Sequence, residues 1–357
     1  MKAFLVQVEK SKTADVLKAE GAKLMLYEKV LELGNVNFTD TSKFSREEWL
    51  KLRTTGIGGS DAGAIMGLNK YSTPLSVYLA KKDFASFGGN KATEWGNILE
   101  DPVRQKAKAD LGIEIETVPG MFTNKENPFM NANFDGLVFV EGEKEIAGSV
   151  VSGLGGHEIK TSRTGEGFTE NEVPDSYYAQ VQHYMAVTGL TFFVLTVFIF
   201  DKYEGKHYVI PRHEDFIKRL TEAERDFWEN FVKKNVMPSP TGNDNELDLV
   251  KSLPMAETIE LTDDCESLLD EKGEIDAQIK ALQERSDILK EQLLLRMTEL
   301  SNGQESSKSV ATCGQWKVSL NTQVSKRVDT NALKKAGLYD EYAKESVSKV
   351  LRITKSK

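Results

Sequence analysis

Asp135, Glu158 and Lys160 are the residues whose types and spacing could do chemistry. Residues 156 to 161 (Gly-His-Glu-Ile-Lys-Thr) read as a strand, in which alternate side chains share a face. Glu158 and Lys160 therefore point one way, and His157 and Ile159 the other. Upstream, Asp135 sits in the stretch NANFDGLV, residues 131 to 138, between two apolar segments. Two carboxylates and the backbone carbonyl of Ile159 offer hard oxygen ligands of the kind that suit Mg²⁺. An ion held there polarises a phosphoryl oxygen and lowers the pKa of a bound water. The adjacent lysine can position that water and offset negative charge as it builds. The plainer alternatives are an exposed edge strand carrying a weak ion pair, and an Asp-Gly pair that marks a hairpin turn.

The Asp…Glu-x-Lys order is that of metal-dependent nucleases, and further polar residues keep it company. Glu100 lies in a helical run, WGNILEDPVR, and can add a carboxylate; alone it reads as a solvated helix acid. Tyr177, Gln180 and Tyr184 recur at i, i+3 and i+7 and so share one helical face. A glutamine centred on such a face needs a partner, which a metal-bound water, a phosphate or the backbone would supply. In RTTGIGGSDAGA, residues 53 to 64, small residues lead into a helix start with Ser60 or Asp61 as the cap. Arg53 and the Ser60 hydroxyl can share one terminal phosphate through charge-assisted hydrogen bonds. The Gly-Lys-Ser/Thr ending of a nucleotide-binding loop is absent, which disfavours nucleotide hydrolysis.

The elements that must hold these groups follow an α/β pattern from Arg46 to Lys234. Helical periodicity spans Glu94 to Leu111; strand-like segments cover Phe129 to Val140 and Gly156 to Thr161. A helix from Ser176 to Thr188, strands at Thr191 to Phe200 and His207 to Pro211, and a helix from Glu214 to Lys233 complete the set. Residues 1–45 carry no clear motif and read as an N-terminal extension. The core domain is assigned to 46–236, and Pro, Gly and Asn around MPSPTGNDN mark 237–256 as a linker. In 257–357, Leu268, Ile275, Leu282 and Leu289 recur every seven residues, with Ile279 and Leu293 at offset positions. This is the seam of a long helix that packs in a hairpin or coiled coil, or lies on its own domain. A short strand pair near Thr312 to Leu320 and a helix near Thr330 to Tyr342 follow.

Composition bounds the function. The 357 residues carry a net charge of −9, which by itself argues mildly against a nucleic-acid partner. The charge is uneven: Glu257 to Leu300 holds 5 Lys+Arg against 13 Asp+Glu, whereas Ser306 to Lys357 holds 11 against 4. Local fields meet a ligand, not the total. Two cysteines, Cys265 and Cys313, support neither a disulfide framework nor a four-cysteine metal cluster. No apolar run approaches the ~20 residues needed to cross a bilayer, and the start lacks a secretory signal, so the expected location is the cytoplasm.

Taken in order, RTTGIGGSDAGAIMGLNKYSTPLSVYLAKK, WGNILEDPV, NANFDGLV, HEIKTS and YYAQVQHYMAVTG resemble the YqaJ-like viral recombinase family, related to phage lambda exonuclease. The resemblance covers about residues 50 to 200. It implies a PD-(D/E)xK nuclease core, a central mixed β-sheet flanked by helices, here with a helical or coiled-coil C-terminal extension. It implies processive 5′→3′ digestion of one strand of duplex DNA to mononucleotides, leaving a 3′ single-stranded tail for an annealing protein of the RecT or Beta type. Carried over by motif, Asp135, Glu158, the Ile159 carbonyl and Glu100 would hold Mg²⁺, with Mn²⁺ a substitute in vitro. Lys160 would assist the attacking water, Gln180 would complete the catalytic set, and Arg53 and Ser60 would receive the 5′-phosphate of a DNA end. Relatives form ring-shaped trimers. Two departures stand out: a Gly/Glu-rich insertion, Glu141 to Gly156, read as an extended hairpin loop, and a continuation of over 100 residues beyond the core. An endonuclease on the same core and a non-catalytic DNA-end-binding scaffold remain the alternatives.

Overall fold

The computed structural model describes residues 25–82, 91–301, 307–326, 328–344 and 353. The chain divides into two compact units, Met1–Leu253 and Pro254–Lys357.

In the first unit, α1 (Leu26–Glu32) buries Leu26 and Val30, one turn apart, and leads into β1 (Val36–Asp40). Phe38 packs its ring between those of Tyr27 and Phe122. Residues 26–40, read as part of an extension, thus belong to the main core. The elements α2 (Arg46–Thr54), β2 (Ile57–Gly58), α3 (Gly59–Ile65) and α4 (Pro74–Lys81) follow. Then come α5 (Lys91–Leu111), β3 (Ile115–Glu116), β4 (Gly120–Asn124) and β5 (Met130–Ala132). A four-stranded sheet in the order β1-β4-β5-β2 results.

The second sheet has five strands in the order β3-β6-β7-β8-β9, with β6 at Gly136–Ile146, β7 at Ser149–Ser162, β8 at Phe192–Ile199 and β9 at Glu204–Pro211. Only the β7–β8 pair is parallel. Parallel neighbours need a crossover, and α6 (Asp175–Thr188) supplies it. This is the mixed sheet with flanking helices that the resemblance implied. The expected strand Phe129 to Val140 splits into β5 and β6, which belong to different sheets. The break falls at Asn133 to Asp135, where the Asn133 amide donates to the Gly120 carbonyl at 3.0 Å. It places Asp135 at the mouth of β6. The insertion read as a loop, Glu141 to Gly156, is instead strand: β6 and β7 stay paired out to a turn at Ala147-Gly148, with a bulge between Val140 and Lys144. Ile146 and Val151 bury against Val140, Ile113 and Ile115, so the apolar side chains within the insertion explain its order.

Helix α7 (Glu214–Asp226) runs on into a π-helical turn, Phe227–Val232. It is fastened to α6 by a buried pair: His183 Nδ1 lies 2.7 Å from Glu224 Oε1, and His183 Nε2 lies 2.9 Å from the Asn131 carbonyl oxygen. Burial opposes a charge on His183, but Glu224 and the Asn131 carbonyl outweigh it and raise the pKa. Breaking such a pair strands its partner, so Glu224→Ala is expected to lower the unfolding free energy by about 3–5 kcal/mol in urea titrations. The stretch 237–256, read as linker, contains α8 (Asp244–Ser252). Its Glu246 is buried and accepts from the Thr241 N–H at 2.7 Å and from the Thr73 hydroxyl. That segment is therefore fastened to the first unit.

The second unit opens with α9 (Asp264–Leu300), 37 residues and about 55 Å long at 1.5 Å per residue. Ion pairs such as Lys272–Asp276 line it. None of its residues is buried, and Leu268, Ile275, Leu282 and Leu289 stand exposed along one stripe. A hairpin of β10 (Lys308–Cys313) and β11 (Trp316–Asn321) follows, then α10 (Thr330–Lys335) and α11 (Tyr339–Tyr342). Among the described residues, no helix is long and apolar enough to cross a membrane.

Candidate active site

Strand alternation sorts the residues of β7 as its spacing predicts. His157 is fully buried with Nε2 2.9 Å from the Thr196 hydroxyl, and Ile159 is buried on the same face. On the other face Lys160 Nζ donates to Glu158 Oε1 at 2.8 Å. The glycines ahead of them are required by packing: a Cβ on Gly155 would come 2.3 Å from the Phe192 ring, and one on Gly156 2.1 Å from that of Phe193. Two aromatic rings of β8 thus cover the strand and hold the next residues in register.

Asp135 reaches this strand from the neighbouring one. Gly136 pairs with His157, and Asp135 Oδ2 accepts from the Ile159 N–H at 2.7 Å, which brings its carboxylate beside Glu158. Burial, then the charges of Glu158 and Glu100, push the Asp135 carboxyl well above the usual range, against the pull of Lys160. Burial also raises Glu158, partly offset by Lys160. For Lys160, burial works against the charge, but Glu158 and Asp135 overcome it and the pKa rises. The ammonium stays charged within a cluster of negative groups.

Helix α6 presents the face its spacing predicts. Gln180 Nε2 donates to Glu158 Oε1 and to the Tyr184 hydroxyl, both at 2.8 Å. The Tyr177 ring centroid lies 4.9 Å from Lys160 Nζ. Tyr184 does more than its periodicity discloses. A Cβ on Gly59 would come 2.4 Å from its ring, so the tyrosine spans from Gln180 to the start of α3. Glu100 lies near enough to raise both carboxyls, yet the buried Arg104 engages it one helical turn away, a partner the sequence reading passed over. Its only signal was the i, i+4 spacing.

Arg53 and Ser60 also meet: Arg53 Nη2 donates to Ser60 Oγ at 2.8 Å, and the guanidinium sits 4.8 Å above the Trp49 ring. Neither Ser60 nor Asp61 is the helix cap. Gly58 takes that position, and Asp61 Oδ2 accepts from its N–H at 2.9 Å. Asp61 is the third residue of the helix rather than its cap, and the same oxygen also meets the buried Lys81 at 2.6 Å.

Residues 48–191 match the model of the YqaJ-like viral recombinase domain. That segment is similar to a YqaJ-like domain. The YqaJ protein of Bacillus subtilis (strain 168) is 29% identical over 319 residues, which cover 85% of this chain and 93% of that protein. Among solved structures, the alkaline exonuclease LHK-Exo from Laribacter hongkongensis is 20% identical, covering 53% of this chain and 94% of that one, with a TM-score of 0.41. LHK-Exo in complex with dAMP is 17% identical, with the same coverage and a TM-score of 0.42. A phage-related exonuclease from Haemophilus somnus 129PT is 16% identical, covering 52% of this chain and 99% of that one, with a TM-score of 0.36.

The matched segment, residues 48–191, contains all the predicted site residues, Arg53, Ser60, Glu100, Asp135, Glu158, Ile159, Lys160 and Gln180. Among the described residues, no three His, Cys, Asp or Glu side chains converge as a closed metal cage. The donor set fits a divalent ion as an open site. Among the described residues, Glu158 Oε2 is buried without a hydrogen-bond partner, and burial, reinforced by neighbouring negative charge, raises the carboxyl pKa of both Glu158 and Asp135. A small hard cation would satisfy both conditions.

Proposed function

We propose that this chain is a Mg²⁺-dependent exonuclease that digests one strand of duplex DNA from its 5′ end. The unpartnered Glu158 oxygen beside Asp135, with Lys160 on the same face, carries the reading. Asp135, Glu158 and the Ile159 carbonyl would hold the ion, with Glu100 able to join by leaving Arg104. When bound, the ion supplies Lewis-acid polarisation of the phosphate and acidifies a water. Lys160 keeps its proton among the carboxylates and presents positive charge where negative charge grows. Gln180, tied to Tyr184, fixes the rotamer of Glu158. Arg53 and Ser60 receive the terminal 5′-phosphate, so digestion starts at an end.

The product, a duplex with a 3′ single-stranded tail, suits an annealing protein of the RecT or Beta type in a phage or prophage recombination pathway in the bacterial cytoplasm. A ring-shaped trimer around DNA is the assembly that goes with this reading. A time course on linear duplex, labelled on one strand at each end, tests activity, polarity and processivity together. Release of 5′-mononucleotides from linear DNA alone supports the proposal; cutting of a covalently closed circle would replace it with an endonuclease, and intact DNA under every metal and pH would end it. Arg53→Ala should slow digestion of 5′-phosphorylated ends by about 10-fold or more, the loss expected for a charge-assisted bidentate contact, and leave 5′-hydroxyl ends nearly unchanged.

A further inference from the structure

Beneath the Arg53–Ser60 pair lies a charge that the proposed chemistry does not use. Lys81, the last residue of α4, has a side chain only 5% exposed. Its ammonium sits 2.6 Å from Asp61 Oδ2 and donates to the backbone carbonyl of Arg53 at 3.0 Å. The same Asp61 oxygen accepts from the Gly58 N–H. Burial works against the charge of Asp61, but Lys81 and then Arg53 overcome it and hold the carboxyl below its usual range. A buried ion pair stabilises a fold no better than well-packed apolar side chains, so its retention calls for another reason.

The connectivity supplies one. Arg53 lies at the end of α2 and Ser60 in the first turn of α3, with a short segment between them. That segment is anchored on one side by the Ile57 N–H, which donates to the Phe129 carbonyl at 2.6 Å. Lys81 closes the other side, binding the backbone of Arg53 and the residue next to Ser60 with one ammonium. Two helices that could drift independently are thereby clamped across the span that Arg53 and Ser60 must bridge.

We propose that Lys81 is a positioning residue for end recognition: it fixes the Arg53–Ser60 spacing and so sets how strongly the protein prefers a 5′-phosphorylated end to a 5′-hydroxyl one. The inference rests on the phosphate-binding reading of Arg53 and Ser60. Lys81 is committed to Asp61 and the Arg53 backbone, away from Asp135 and Glu158, so its loss acts through the placement of Arg53 and Ser60. Misplacement by an ångström can cost about 10²-fold in a well-aligned site.

The test compares full-length wild type with Lys81→Met, Lys81→Arg and the double variant Lys81→Met/Asp61→Asn, which leaves no buried charge unpaired and keeps the Gly58 acceptor. Digestion rates are measured against substrate concentration on otherwise identical linear duplexes bearing 5′-phosphate or 5′-hydroxyl ends. Lys81→Met and the double variant are expected to lose about tenfold of the phosphate preference through KM, within the range misplacement produces. Rates on 5′-hydroxyl ends stay at the wild-type level, and Lys81→Arg, which keeps a donor for both partners, retains part of the preference. A purely structural role would slow both substrates equally, and that result overturns the proposal, as does a preference unchanged in the double variant. A wild type with no phosphate preference would refute the phosphate-binding reading itself, and the role of Lys81 with it.

Discussion

Lys160→Ala is expected to abolish DNA digestion, by on the order of 10³-fold or more, while the protein stays folded. Among the described residues the ammonium is the one positive group in direct contact with Glu158, and it also counters Asp135. Without it, the positive charge on that face is lost from beside the reacting phosphate. Folding survives because Gln180 still donates to Glu158 Oε1, and Glu158, already inclined to protonate, can do so when its partner is lost. Lys160→Arg should recover little, since a planar fork cannot occupy the place of a compact ammonium between Glu158 and the Tyr177 ring. Single-turnover digestion with circular dichroism as the folding control decides the matter. Activity within tenfold of wild type would remove Lys160 from the chemistry.

Asp135→Asn should cost a comparable factor in activity yet make the metal-free protein more stable near pH 8. The sign follows from the direction of the shift. The folded carboxyl holds its proton to a higher pH than the unfolded one, whose pKa lies near 3.8. The folded state therefore binds more protons in that interval, and stability falls as pH rises from about 3.8 through the raised value. Asparagine has the shape of the protonated acid and escapes the loss, so the two proteins converge in acid and separate above it. Divalent cation should reverse the order: a ligand present at 100 times its Kd adds about 2.7 kcal/mol to the protein that binds it. Melting curves against pH, with and without Mg²⁺, give both readings. A metal-free Asp135→Asn protein that melts below wild type at pH 8, or a variant stabilised by Mg²⁺ as strongly as wild type, would contradict this account of the site.

How much was legible in the sequence depends on the range of the interaction concerned. Strand alternation places Glu158 and Lys160 opposite His157 and Ile159, and helical spacing places Tyr177, Gln180 and Tyr184 together; both are local regularities, and the structure keeps both. The meeting of Asp135 with Glu158 needed a pairing register, which motif order implied and backbone geometry supplies. What escaped was long in range or hidden by ordinary residue types. Lys81 looks like one of several helix-end lysines until the fold buries it on Asp61. Val36 and Phe38 are two apolar residues in a polar stretch, and only the partner strand β4 makes them core. A Pro/Gly/Asn-rich run signals a break correctly around Gly242, yet says nothing about Glu246, which returns just afterwards to Thr73. The heptad spacing foretold the helix α9, whose stripe of Leu268, Ile275, Leu282 and Leu289 stands exposed.

The paired extension of β6 and β7 has a practical side. Asp135 and Glu158 to Lys160 stand at one end of this hairpin, and its turn, Ala147-Gly148, stands at the other, past the bulge. Residues added or removed at that turn change the length of the arm without passing through the register that sets the carboxylates face to face. The tip is accordingly a place to insert a fluorophore, an epitope or a tether for single-molecule work, provided Ile146 and Val151 keep their apolar contacts. A label there would be carried by the paired strands of the sheet, with no alteration to Asp135, Glu158 or Lys160.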